Sequence, residues 1–158
     1  MDIKILGNDL KFKYRVSAIF IRDNKLLVNK YDENSYCLPG GYVEIGETSM
    51  EAMLRELKEE LNLDFDIINF AGVMENFFTN LKGQKTHGLD FYYYVKLKND
   101  NDFQLIDYNR IEIDKGNIVQ HQFSWIELDK LMSSKILPLE IRKIIKESEI
   151  SFHMIINN

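Results

Sequence analysis

The stretch GGYVEIGETSMEAMLRELKEELNL, Gly40 to Leu63, decides how the rest of the chain is read. Thr48 followed three residues later by Glu51 is a capping-box pattern, so a helix is expected over about 49–61. Met50, Met53, Leu54, Leu57 and Leu61 carry the spacing of a single buried face. The same helix crowds Glu56, Glu59 and Glu60. At about 100° per residue, Glu56 and Glu60 lie only about 40° apart, with Glu59 about 60° to the other side of Glu56. No basic side chain stands three or four residues from Glu56 or from Glu60. Glu59 has Arg55 one turn earlier, which is expected to keep it ionised.

An exposed like-charge pair at this spacing costs only about 0.2–0.5 kcal/mol, so an acidic solvated face is one reading. The angular position favours another. Glu60 falls beside Met53 and Leu57 at the edge of the buried stripe, where restricted solvent raises the repulsion to about a few kcal/mol. A divalent cation answers that repulsion, and oxygen ligands without thiol or imidazole suit Mg²⁺ or Mn²⁺ better than Zn²⁺. Upstream, Pro39-Gly40-Gly41 lets the backbone pass close to the helix without a Cβ, and Gly46 allows a second sharp turn before Glu47.

Working outward, RVSAIFI and LLVNKY read as two strands of a hairpin turning near Asp23-Asn24, and a short strand is expected around Tyr36 to Leu38. Beyond the helix, DFDIINFAGVMENFF and HGLDFYYYVKL look like two long strands joined by the polar loop TNLKGQKT. Within FYYYVKL the tyrosines should alternate between faces. NIVQHQFSWI is a further strand, and LPLEIRKIIKES a closing helix with Pro138 near its first turn. This order of mostly strands with one central and one C-terminal helix fits an α/β sandwich better than a regular βαβ array.

A chain of 158 residues with 2 Pro, 8 Gly and no biased tract is expected to form one domain, 1–158, without linkers. The net charge of -5 argues against long nucleic acid as a partner, while leaving room for small phosphorylated ligands. One cysteine, Cys37, allows no intramolecular disulfide and suits a reducing cytoplasm. No apolar run reaches the roughly 18 residues of a membrane span, and the charge-punctuated N-terminus is unlike a signal peptide.

The Gly40–Leu63 segment resembles the Nudix box: Gly, five residues, Glu, seven residues, Arg-Glu, an aliphatic residue, any residue, Glu-Glu, any residue, Gly and an aliphatic residue. Here Gly41 is followed by YVEIG and Glu47, then TSMEAML, Arg55-Glu56, Leu57, Lys58, Glu59-Glu60, Leu61, Asn62 and Leu63. Asn62 stands where the family has glycine; Asn is the commonest substitute in the left-handed helix cap, at a cost below about 1 kcal/mol. The resemblance implies an α+β Nudix fold, a mixed β-sheet sandwiched between α-helices. It implies that Glu56, Glu59 and Glu60 bind Mg²⁺ or Mn²⁺, with the Gly40 carbonyl as a further ligand. Arg55 would orient these glutamates, partly through Glu47; a purely structural Arg55–Glu47 ion pair is the alternative.

The implied reaction is hydrolysis of a pyrophosphate joining a nucleoside to another group, with release of a nucleoside monophosphate. Glu59 is one candidate for the proton acceptor, and Glu75, Asp90, Asp107 and Glu112 are others. Tyr42, Phe77, Phe78, Tyr92, Tyr94 and Trp125 are candidates to stack on a base, with ordinary packing as the competing role. Arg22, Lys82, Lys85 and His87 are candidates to meet phosphate. The substrate expected is a nucleotide sugar or a nucleoside triphosphate. Removal of pyrophosphate from RNA 5′ ends and a non-catalytic ligand-sensing module are the alternatives. A homodimer is compatible with the family resemblance.

Overall fold

The computed structural model describes residues 1, 4–7, 9–80, 82–146 and 151–157. Strand β1 is Lys4–Leu6, β2 Leu10–Ile19, β3 Ile21–Arg22, β4 Lys25–Lys30 and β5 Tyr36–Cys37. Helix α1, Ser49–Leu61, precedes the long strands β6, Phe65–Thr79, and β7, Lys85–Leu97. Then come β8, Asn109–Asp114, β9, Asn117–Glu127, α2, Ile141–Lys146, and β10, Phe152–Asn157. Short 3-10 turns span Asp100–Leu105 and Leu128–Ser133.

The strands form two sheets. One is mixed, in the order β1-β2-β7-β6-β10, with β2 parallel to β7 and β6 parallel to β10. The other runs β3-β4-β9-β8, with β5 added beside β4. The β3–β4 hairpin turns at Asp23 and Asn24, both at positive φ (49° and 61°), the backbone of a two-residue turn that matches strand twist.

Period-two alternation distributes the core to both faces of the mixed sheet. Val16, Ala18, Tyr93 and Val95 pack against Met53, Leu57 and Leu61 of α1. Ile19, Met74 and Tyr92 pack on the other face with Ile141 and Ile145 of α2. Tyr92 and Tyr94 thus face one layer and Tyr93 the other, as FYYYVKL predicts. The result is a mixed sheet sandwiched between helices, the expected α+β class.

Three sequence readings are corrected. Met50 and Leu54 are 51% and 38% exposed, because the buried stripe of α1 consists of Ala52, Met53, Leu57, Glu60 and Leu61. It is rotated toward Glu60, so that carboxylate lies inside the stripe rather than at its edge. Pro138 lies three residues before α2, where its carbonyl accepts the Ile141 N–H (3.2 Å). The expected final residues of that helix, 147–148, lie outside the described residues. The strand read from Arg15 begins at Leu10 and ends at Ile19 in the mixed sheet, so only Ile21–Arg22 forms the expected hairpin with β4. Strands β1, β8 and β10 lacked a clear pattern, and β8 alternates but turns its isoleucines, Ile111 and Ile113, toward solvent.

Candidate active site

Helix α1 begins as the capping box requires. The Thr48 side chain accepts the Glu51 N–H (3.2 Å), and the Glu51 carboxylate accepts the Thr48 N–H (2.8 Å). It ends on Asn62 at φ 56° and ψ 24°, whose N–H donates to the Lys58 carbonyl (2.9 Å). Asn therefore adopts the left-handed cap in the place of glycine.

The Pro39–Val43 segment runs along β2. Ala18 N–H donates to the Pro39 carbonyl, Val16 N–H to the Gly41 carbonyl, and Val43 N–H to the Tyr14 carbonyl (2.8–3.0 Å). Gly40, at φ 142°, needs a backbone that side chains disfavour, and a Cβ there would collide with the Val16 carbonyl. A Cβ on Gly41 would fall inside the Glu56 carboxylate. The two glycines therefore let α1 bring its acids against backbone.

Arg55 ties the acids together. Its Nε and Nη2 donate to the two oxygens of Glu47 (3.0 and 2.5 Å), Nη2 also reaches the Tyr42 carbonyl (2.9 Å), and Nη1 reaches Glu56 (2.9 Å) and Glu59 (3.1 Å). Glu56 thus has a basic neighbour that the three- and four-residue spacing does not reveal, because a long guanidinium reaches sideways. Glu47 lies behind Arg55 and also accepts the Glu44 N–H (2.7 Å). These contacts, the Arg55 hydrogen bonds foremost, hold the Glu47 carboxyl below the usual range.

The other carboxyls are shifted the opposite way. Burial raises Glu56 to about 7, with Arg55 only partly offsetting it. Burial, then the Glu56 charge, raises Glu60 well above its ordinary value. Glu60 is 6% exposed; its Oε2 accepts the Gly40 N–H (3.0 Å), and His121 Nδ1 stands 3.8 Å from Oε1. Glu59 is also shifted upward by burial, with Arg55 acting in the other direction, toward the ionised form.

These groups line a cleft of about 460 Å³ whose walls include Gly40, Glu56, Glu59 and Glu60 from the box. A family model described as NUDIX domain matches residues 11–147. The chain belongs to the NUDIX family. The Nudix chain is 42% identical over 81 residues to an ADP-ribose pyrophosphatase of Methanocaldococcus jannaschii, covering 44% of this chain and 47% of that protein. It is 32% identical over 60 residues to an RNA pyrophosphohydrolase of Ruthia magnifica, covering 37% of this chain and 34% of that one. The chain thus spans less than half the length of these curated relatives. The MutT protein from Bacillus halodurans superposes with a TM-score of 0.59 at 14% identity, covering 89% of each chain, a likeness of fold.

The Nudix cleft gathers some of the other candidate residues and leaves most outside. Glu112 lines it, whereas Glu75 pairs with His153 (2.8 Å), Asp107 accepts the Asn109 N–H (3.1 Å), and Asp90 is half-buried near Arg15 and Lys13. Tyr42 lines it, with the Arg15 guanidinium 5.5 Å from its ring centre. Tyr92 and Tyr94 pack in the second core layer, and Trp125 packs between Phe20 and Phe103. Arg22 pairs with Asp100 (2.6 Å) and covers Phe103. Phe77, Phe78, Lys85 and His87 line a separate groove with Phe12, and Lys82 sits in an exposed turn.

Sequence reasoning missed Arg15, Lys115, Asn29 and His121. Arg15 and Lys115 add positive charge, beside that of Arg55, to the lining of a cleft rich in acids. His121 was legible only as one of the alternating buried positions of β9, with Phe123.

A divalent cation fits this donor set. Half-buried Glu56 and buried Glu60 are carboxylates of raised pKa beside an oxygen-lined cleft, the hard-donor environment such ions take. Among the described residues no three acidic, histidine or cysteine side chains already form a closed ligand cluster. Arg55 occupies oxygens of Glu56 and Glu59, so those side chains would have to turn from it toward an ion.

Proposed function

We propose that this Nudix protein is a divalent-cation-dependent hydrolase that cleaves the pyrophosphate of a small nucleoside diphosphate derivative and releases a nucleoside monophosphate. The observation that carries the reading is the pair of carboxylates, half-buried Glu56 and buried Glu60, held against Gly40 and Gly41 at the wall of an open cleft. Burying such charges is costly without a compensating cation, and a catalytic site is where that cost is recovered.

Glu56, Glu59, Glu60 and the Gly40 carbonyl would hold Mg²⁺ or Mn²⁺. When bound, the ion neutralises phosphate oxygens and lowers the pKa of water. Arg55 keeps Glu56 and Glu59 in place, and Glu47 braces Arg55 from behind. Arg15, beside Tyr42, and Lys115 also line the cleft and offer charge to the diphosphate. Glu59 and Glu112 both line the cleft and can take a proton from water. The water oxygen bonds to phosphorus, the bridging P–O bond breaks, and the leaving phosphate departs as an anion.

A nucleotide sugar of the ADP-ribose type is the preferred substrate, supported by the relative at 42% identity. RNA 5′ ends are a second reading, supported by the relative at 32% identity and opposed by the net charge of -5. A chain with a single cysteine, Cys37, suits a reducing, cytoplasmic setting. The test is a panel of ADP-ribose, UDP-sugars, nucleoside triphosphates and 5′-triphosphorylated RNA, with Mg²⁺, Mn²⁺ or chelator, products resolved by mass. Cation-dependent release of a nucleoside monophosphate is expected. Binding without turnover across the panel would instead mark a sensing module.

A further inference from the structure

Asn29 on β4 and His121 on β9 are 7% and 5% exposed, so their polar atoms need partners inside the protein. The Gln122 N–H donates to Asn29 Oδ1 (3.1 Å), which settles the orientation of the amide. Asn29 Nδ2, a donor, then faces His121 Nδ1 at 2.8 Å. Nδ1 must accept, so the imidazole proton sits on Nε2. That nitrogen stands 2.7 Å from Glu112 Oε2 and donates to it.

We propose that Asn29 and His121 are positioning residues: by fixing one tautomer of His121 they hold Glu112 as an acceptor turned toward the cleft, selecting it over Glu59 as the proton acceptor. Glu59 is engaged by Arg55 (3.1 Å) and belongs to the set that would hold the ion. Glu112 comes from the other sheet and keeps one oxygen clear of His121. The chain of contacts, Gln122 backbone to Asn29 to His121 to Glu112, runs from the β4–β9 pairing, a rigid element, to the cleft. The inference about catalysis rests on the hydrolase reading; the tautomer does not.

The tautomer is read directly from long-range ¹H–¹⁵N correlations of the cation-free protein, with His121 assigned by its substitution among the three histidines. Expected are a protonated Nε2 and a bare Nδ1. The reverse would overturn the clamp. Asn29→Asp puts an acceptor where a donor stood, so Nδ1 should become protonated, and kcat should fall about tenfold or more with KM little changed. His121→Leu should lose a similar factor, while His121→Gln, whose amide can present an N–H near the Nε2 position, should recover most of it.

Full turnover by His121→Leu, or by Asn29→Asp with Nδ1 shown protonated, would remove the positioning role. If the wild-type protein hydrolyses nothing in the substrate panel, the functional reading and Glu112's selection as proton acceptor fail, while the nitrogen signals still decide the clamp.

Discussion

Beside α1, Glu60 and Glu112 flank the buried ring of His121. At the far end of the mixed sheet, Glu75 is likewise flanked, by His153 at 2.8 Å and His87 at 3.7 Å, with His87 stacked on Phe77. The residue types match, and the surroundings do not. The His153 side chain is 58% exposed, so water screens its contact with Glu75, which is worth about 0–1 kcal/mol. In the cleft, burial raises Glu56 and Glu60, and charge there becomes expensive enough to call for a partner. Burial, more than the pairing of glutamate with histidine, distinguishes a candidate catalytic cluster from a surface one.

The sharpest way to break this contrast is Glu60→Gln. Losing a charge that would grip the ion should cost several kcal/mol of transition-state stabilisation, at least about a hundredfold in kcat. Melting should be unchanged or slightly higher, since the neutral amide avoids desolvating a carboxylate. Full turnover by a folded variant would end the cation argument. Arg55→Lys comes next: one ammonium cannot reproduce the contacts to Glu47, Glu56, Glu59 and the Tyr42 carbonyl. Activity should drop about 10–100-fold with a lower melting temperature. A fall in melting temperature alone would leave Arg55 with Glu47 as a structural pair.

The third test uses pH. Because burial raises Glu56 and Glu60, the folded chain holds protons that the unfolded chain has released. The contribution of Glu56 to stability is fully present below the unfolded value of 4.5 and is lost as pH rises through about 7, and Glu60, raised well above 4.5, shifts stability in the same direction. Without cations, calorimetry should show this loss between about pH 5 and about pH 8, on the order of a few kcal/mol, and Mg²⁺ or Mn²⁺ should restore stability at the upper end. A melting point indifferent to cations at that pH would contradict the assignment. The smallest effect belongs to the outer cluster. Glu75→Gln should leave kcat and KM within about twofold and stability within about 0.5 kcal/mol. A large loss of turnover there would erase the distinction between the two clusters.

Much of the fold was legible because its signals are local. The Thr48–Glu51 cap, the Asp23-Asn24 turn and the tyrosine alternation each depend on neighbours within four residues, and each is present. The rotation of the α1 stripe was not legible: which side of an amphipathic helix is buried most deeply depends on the sheet it meets. Met50 and Leu54 were therefore misjudged and Glu60 underestimated.

In the site, the spacing from Gly41 to Leu63 by itself determined which carboxylates share one surface of a helix and which glycines make room for them. Short-range geometry allows nothing else. Tertiary packing alone brings Glu112, of the four acids outside the box considered as proton acceptors, to the cleft, together with Arg15, Lys115 and His121, and sets Asn29 behind His121. Asn29 and His121 are 92 positions apart, and no periodicity connects them. They meet because β4 pairs with β9, and long-range pairing is set by how the whole core closes.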